Sequence, residues 1–356
     1  MNKSRSAFVT FFPIKPDAMG SSAVVNARFL NWPNKKKIFQ ISHVKKINNK
    51  VIETIFITKE NPIQKILKLP ELIFKINRYL KKTQKKIIIL EGASWIFYSF
   101  TIMFFFKVFK KNVKIIYISH SIESDIRKKY SNKFIYFLTK VLENLVFKYS
   151  HISTSVSLKE KNKINLLYGV KTILLPNGIH LNKINKKNKL NEDYIIYTGS
   201  YLYRPNKDAI DFLNDFVMPN LLKKYPNFKL VLTGGGFNKK YPWIINKEII
   251  PRNELHNLLL QSKCLCVPLK FGSGTRIKIL EALSLGAIVI SSQKGIEGIK
   301  IKSLHPPFIF KSKNDLIRKI NYIIKNNILI KKKAIRNKDY YQKNYSMKNI
   351  IKKFLY

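Results

Sequence analysis

Apolar runs of strand length alternate with longer segments of helical periodicity through most of the chain. AFVTFFPI (7–14) precedes a Gly-Ser turn and an apolar-periodic segment, and KKIIILEG (85–92) precedes the apolar stretch 95–109. VKIIYISH (113–120) precedes a charged helical region reaching about residue 149, and YSHISTSVS (149–157) reads as a further strand. Such alternation predicts a parallel sheet with helices on both faces. Residues 180–193, HLNKINKKNKLNED, lack hydrophobic periodicity and predict a linker. Beyond it the pattern resumes: strands in 194–200, 228–236, 263–269 and 287–292, and helices over 206–222, 252–262 and 275–285. The tail 338–356 predicts one more helix, and no fixed-period repeat is present.

Length agrees with two such series, since 356 residues at roughly 100–200 per domain make two domains. A hydrophobic fraction of 46% excludes a disordered chain. Cys264 and Cys266 are too few and too close for a disulfide scaffold or a metal site, which fits a reducing compartment. The opening SAFVTFFPI is short and lacks a small-residue cleavage pattern, so no secretory signal is expected. The run 95–109 is also shorter than the about 20 apolar residues of a spanning helix.

The charge needs more care. With 67 Lys+Arg against 20 Asp+Glu the formal charge is +47, which invites a nucleic-acid reading. Nearly all the cations are lysine, spread along the whole chain beside abundant Ile and Asn, as a bias toward A- and T-rich codons would produce. The scarce arginines are therefore the informative cations: each of Arg28, Arg127, Arg204 and Arg276 is either a planar fork for phosphate or carboxylate or an ordinary surface charge.

Ligands of open α/β sheets bind at the carboxyl ends of strands. In VPLKFGSGTRIKILEALSLG (267–286) a strand is followed by a Gly-Ser-Gly turn, and the first turn of the next helix is expected to hold Thr275, Arg276 and Lys278, with Glu281 one turn on. Freed amides at a helix start, glycines and two cations suit a diphosphate. The same pattern also fits a tight turn with solvated cations. Glu281, inside an apolar run, is either an exposed helix residue or an acceptor for vicinal hydroxyls such as those of ribose.

This segment resembles the donor-binding motif of the GT-B glycosyltransferases, in particular the retaining family four, group 1. YTGSYLYRPNKDAIDFL (197–213), LLPNGI (174–179) and QKGIEGI (293–299) resemble other elements of that family, while ISHSIES (118–124) and FPIKPDAMGSSAVVNARFL (12–30) match more loosely. The resemblance implies two Rossmann-like doubly wound domains facing a cleft. The expected bounds are an acceptor-binding domain over 1–180, a nucleotide-sugar-binding domain over 181–340, and a helix over 341–356 returning to the first domain. It places Glu281, Gly234, Ile250 and Pro251 at the nucleoside. Gly20, Gly199, Arg204, Lys207, Gly274, Thr275, Arg276 and Lys278 fall on the diphosphate side, and His120 becomes the catalytic contact to the transferred sugar. A strand-end histidine is equally a satisfied structural residue. The family's usual pair of glutamates eight positions apart is broken, because Ser273 stands eight before Glu281.

The implied activity is sugar transfer from a nucleotide-sugar to a glycan or lipid-linked acceptor, in cell-surface polysaccharide or lipopolysaccharide synthesis. Retention of configuration is implied, with no cofactor and no obligatory metal; no D-x-D motif occurs, and Glu123-Ser124-Asp125 has the wrong pattern. Lysine runs at 78–86 and 107–114 beside the aromatic stretch 95–109 suit peripheral contact with an anionic membrane, with a cytoplasmic location, although 95–109 also reads as a core helix. The rival readings are a GT-B-type epimerase or phosphorylase and a nonspecific nucleic-acid binder. No specific nucleic-acid partner is expected, since no helix-turn-helix, zinc-finger or RNA-recognition signature is present.

Overall fold

The computed structural model describes residues 4–14, 20–44, 50–181, 190, 192–271, 275–301 and 307–355. Most of the expected linker, 182–189 and 191, and the Gly272–Gly274 turn with Ser273 lie outside the described residues. The chain divides into two compact units, Met1–Pro176 with Ile351–Tyr356, and Asn177–Ile350.

Unit 1 is built on seven parallel strands: β1 (Arg5–Thr10), β2 (Lys35–Ser42), β3 (Ile52–Phe56), β4 (Lys86–Gly92), β5 (Val113–Ser119), β6 (Ile152–Ser155) and β7 (Ile173–Leu174). Their order is β3-β2-β1-β4-β5-β6-β7, so the winding reverses between β1 and β4. The connecting helices are α1 (Ser21–Asn31), α2 (Pro62–Leu67), α3 (Leu69–Leu80), α4 (Ile96–Phe109), α5 (Glu123–Tyr130), α6 (Lys133–Tyr149) and α7 (Leu158–Tyr168). Central strands such as β5 are apolar on both faces because helices cover both. On one face Phe8 of β1 meets the edges of Phe29 and Trp32, at ring distances of 5.4 and 5.6 Å. Phe354, near the C-terminus, reaches the same Trp32 at 6.1 Å. Strands β2 and β3 leave little mark in the hydropathy pattern, because β2 opens on three lysines and β3 has only five residues.

Unit 2 repeats the plan with β8 (Tyr194–Thr198), β9 (Lys229–Thr233), β10 (Ile244–Asn246), β11 (Cys264–Val267), β12 (Val289–Ser292) and β13 (Phe308–Phe310), ordered β10-β9-β8-β11-β12-β13 and all parallel. Here the reversal falls between β8 and β11. Both cysteines are buried in β11. The helices are α8 (Arg204–Phe212), α9 (Met218–Leu222), α10 (Arg252–Gln261), α11 (Ile277–Leu285), α12 (Lys313–Lys325) and α13 (Asn327–Tyr345), followed by α14 (Met347–Leu355).

Three expected helices differ in detail. The helix over 206–222 widens into a π turn at Leu213–Val217 just before Pro219, which has no N–H to give the carbonyl four residues back. The helix after the Gly-Ser-Gly turn starts at Ile277, so Thr275 and Arg276 precede it, with Arg276 as its N-cap, rather than filling its first turn. The tail breaks at Ser346, where Ile179 donates its N–H to the Tyr345 carbonyl and accepts from the Met347 N–H, each at 2.9 Å. A side chain at Gly178, the glycine of the PNG element, would approach the Met347 Cα to 3.0 Å, which explains the glycine by close packing.

The acidic cluster after β5 is used inside the fold. Glu143 of α6 accepts the backbone N–H groups of Glu123 and Ser124, at 2.6 and 3.1 Å, and the Tyr168 hydroxyl at 2.6 Å. Glu123 in turn accepts the Ile96 N–H at 2.6 Å, so each carboxyl satisfies open donors at a helix start. Burial pushes Glu123 up to about 7, against the opposing pull of Arg127.

Candidate functional site

The winding reversal in unit 2 sets the place to look, because strand ends on either side of such a point leave a crevice. Strand β8 is followed directly by Gly199, with φ at 142°, where L side chains are strained. A side chain there would also come within 2.7 Å of the Asn206 amide nitrogen and 2.8 Å of the Lys278 ammonium. Asn206, in the first turn of α8, is held by two bonds. Its Oδ1 accepts the Tyr197 hydroxyl at 2.8 Å, and its Nδ2 donates to the Ser200 carbonyl at 2.9 Å. Lys278, from α11, crosses back to the end of β8 and donates to Asn206 Oδ1 at 3.1 Å, its ammonium 4.1 Å from the centre of the Tyr197 ring. Burial, and then the neighbouring Arg276, push Lys278 down to about 7. A cation held in such a place has lost most of its water and no carboxylate replaces it in these contacts, so an anion that arrives there is bound strongly.

Arg276 is partly buried at the start of α11, and burial lowers it as well. Beside it, Thr275 Oγ1 lies 3.4 Å from where a side chain on Gly298 would begin, which brings the loop after β12 against this helix start. Gly274 lies outside the described residues. Arg204 is exposed at the first position of α8. Lys207 is exposed too, but its ammonium pairs with Asp211 at 2.6 Å and lies over the Tyr201 ring. The strand-end cluster therefore takes its α8 contribution from Asn206, a neutral residue between the two expected cations.

One turn along α11 from Lys278, Glu281 is buried and turned toward α10. Its Oε1 is paired with Arg252 Nη1 and lies 2.7 Å from His256 Nε2. Burial alone would raise this carboxyl; the hydrogen bond from His256 and the charge of Arg252 outweigh it and hold it below the usual range. His256 is fully buried, and its Nδ1 has no hydrogen-bond partner among the described residues. Pro251 is the N-cap of α10 and Ile250 precedes it, so both adjoin the element that carries Arg252 and His256. Gly234, Gly235 and Gly236 after β9 all have positive φ, and the Gly234 N–H donates to the Glu248 carbonyl at 2.7 Å.

In unit 1 the corresponding strand ends hold His120, directly after β5, and Glu91, near the end of β4. Glu91 Oε2 receives Arg28 Nη1 at 2.5 Å and lies 2.7 Å from His120 Nε2. The Arg28 and Glu91 side chains are fully buried. Arg28 and His120 hold Glu91 ionised against the upward push of its burial. With Nε2 donating to that carboxylate, the His120 ring is fixed in orientation. Gly20 is the exposed N-cap of α1, with open space where a side chain would stand. A basic depression of about 280 Å³, lined by Arg5, Lys37, Glu53, Lys75, Arg78 and Lys82 among others, opens instead at the amino ends of β1 to β3. There Glu53 already bridges Lys37 and Lys75, at 2.7 and 3.2 Å.

The family described as Glycosyl transferases group 1 matches residues 192–326, which take in β8, Asn206, α10 and α11. No curated protein sequence matches the chain. Among solved structures, HepE of Anabaena in complex with UDP and glucose aligns with a TM-score of 0.70 at 11% identity, covering 99% of this chain and 98% of that one. Sucrose-phosphate synthase from Thermosynechococcus elongatus aligns at 0.68 with 12% identity, covering 99% and 97%. The lipopolysaccharide outer core galactosyltransferase WaaB aligns at 0.58 with 15% identity, covering 99% and 98%. At these identities the structures establish a shared fold.

Proposed function

We propose that the chain is a glycosyltransferase of the group 1 kind, on the GT-B plan of two Rossmann-like domains, and moves a sugar from a nucleotide-activated donor to a hydroxyl of a glycan or lipid-linked acceptor. The observation that carries this reading is the desolvated Lys278 ammonium, held against Gly199 and Asn206 at the winding reversal of the family-matched unit. In the proposed complex Lys278 and Arg276 face the donor diphosphate, Glu281 accepts from the ribose hydroxyls, and His120 contacts the sugar. As the glycosidic bond breaks, negative charge grows on the leaving diphosphate and two fixed cations stabilise it. The acceptor oxygen bonds to the anomeric carbon as the phosphate leaves, and the departing phosphate takes the acceptor proton, so this route uses neither a protein carboxylate pair nor an obligatory metal; the family resemblance adds retention of configuration to the proposal. A cytoplasmic site of action, with peripheral contact to an anionic membrane, completes the proposal. Uridine diphosphate sugars are the first probes to use, because HepE was solved with UDP and glucose. A thermal-shift panel of nucleotide sugars, followed by assay of nucleoside diphosphate release, tests the reading; no shift and no release with any of them would overturn it.

The low Lys278 ammonium makes a pH prediction. Below about pH 7 the free protein carries the charge, above it the ammonium is neutral, and a bound diphosphate restores the proton. Donor affinity is expected to fall between about pH 6 and pH 8, with uptake of about one proton on binding at the upper end. Calorimetry in buffers of different ionisation heat reads this directly, since the diester phosphates of a nucleotide sugar do not titrate there. Constant affinity without proton uptake would remove Lys278 from the diphosphate.

Glu281 predicts a split between two substitutions. Glu281→Gln keeps the shape and is expected to weaken nucleotide binding by about 10- to 100-fold, the worth of a hydrogen bond to a charged group. Glu281→Ala strips the partner from Arg252 and His256 as well and is expected to destabilise unit 2 by about 3–5 kcal/mol. Titration with the nucleotide and thermal unfolding of both variants separate the two effects.

A further inference from the structure

Helices α4 and α6 follow the neighbouring strands β4 and β5, pack against each other and lie on one face of the unit 1 sheet. Each buries one stripe: Ile96, Ser99, Met103 and Phe106 of α4, and Thr139, Leu142, Glu143 and Val146 of α6. The opposite stripe of α4 carries Phe104 and Val108, and that of α6 carries Phe134, Phe137 and Val141, at helical spacing. None of these is covered: Phe104 is 53% exposed, Phe134 70% and Phe137 65%. Apolar side chains this open, repeated on the outer stripes of two helices that pack together, are of the kind that marks an interaction surface.

Charge says what covers it. From Trp95 to Tyr149 the chain has nine lysines and one arginine against three acids. Two of those acids, Glu123 and Glu143, are buried at helix starts, and the third, Asp125, pairs with Lys163. Lys107, Lys110, Lys133, Lys140 and Lys148 are exposed around the phenylalanines. Two copies of such a face would repel each other. Protein interfaces are depleted in lysine and favour tyrosine, tryptophan and arginine, whereas phenylalanine ringed by lysine matches the boundary between acyl chains and acidic headgroups. We propose that the outer face of α4 and α6 is a membrane-docking surface, with Phe104, Phe134 and Phe137 entering the interfacial layer of an anionic bilayer and the lysines lying at its headgroups. This extends the peripheral contact of the preceding section, from which it takes its physiological setting, and adds α6, which the charge pattern of 78–114 did not mark.

Vesicle flotation of the full-length protein without any sugar substrate tests the surface independently of the enzymatic reading. Binding is expected to phosphatidylglycerol-containing vesicles and not to pure phosphatidylcholine. It should weaken about fivefold for each of Lys107→Glu and Lys140→Glu, and at least tenfold in Phe104→Ser/Phe137→Ser. Thermal unfolding and nucleotide-sugar affinity of the variants should remain those of the parent, because both phenylalanines are already solvated. Equal binding to the two vesicle types, wild-type binding by the double variant, or its loss of self-association in ultracentrifugation without any change in flotation would overturn the proposal.

Discussion

Lys278→Met is expected to lower kcat/KM by about 10²–10³ while leaving the fold intact, the effect of removing one fixed donor from a site where charge develops. Methionine fills the same channel over the Tyr197 ring, and Asn206, although it loses the Lys278 donor, keeps its bonds to Tyr197 and Ser200. Thermal stability should hold or rise slightly, since a partly desolvated cation beside Arg276 costs free energy in the unliganded protein. Lys278→Arg should not restore activity. The ammonium is only 2.8 Å from where a side chain on Gly199 would begin, and a planar guanidinium needs more room than that point charge. Steady-state kinetics with a nucleotide sugar checks both variants, and near-parental kcat/KM in Lys278→Met would mean that the diphosphate binds elsewhere.

The part of this site that is visible in the sequence is the part carried by one short stretch. Arg276, Lys278 and Glu281 follow a strand and a glycine turn within ten residues, so local grammar points to them before any fold is known. Asn206 has no such marker: between Arg204 and Lys207 it is the least conspicuous residue, and only burial at the end of β8 brings its amide to Lys278. Arg252 and His256 are likewise joined to Glu281 by the packing of α10 on α11, over 25 and more positions of sequence. The scarcity of arginine points to Arg28, and the structure supplies a carboxylate that it meets through a single nitrogen, Nη1, rather than through the whole fork. Nothing in KKIIILEG marked Glu91 as that partner, because a lone acid at a strand end reads as solvent-facing until α1 is laid across it. The alternation of elements is more legible, since burial of both sheet faces writes itself into continuous apolar runs; it misses β2, which begins in lysine, and the short strands β3, β7, β10 and β13.

Arg28→Met is expected to cost unit 1 about 3–5 kcal/mol, because it leaves the Glu91 carboxylate buried without its main counter-charge. Glu91→Leu should cost a comparable amount by stranding the guanidinium. The pair is not an efficient source of stability even when whole: Glu91 Oε1 and Arg28 Nε and Nη2 are buried and have no hydrogen-bond partner among the described residues. Arg28→Met/Glu91→Leu is therefore expected to recover most of the loss, and to match or exceed the parent. Two of the three tryptophans, Trp32 and Trp95, report on unit 1, so urea unfolding followed by fluorescence reads its transition. Turnover should part from stability in the double variant. His120 loses the carboxylate that orients its ring, and kcat is expected to fall at least tenfold while nucleotide-sugar affinity, which the proposed function assigns to Lys278 and Glu281 of unit 2, is kept. A stable double variant with parental kcat would make the ion pair a packing feature alone, whereas a stable and slow one ties the cost of burying two charges to the placement of His120.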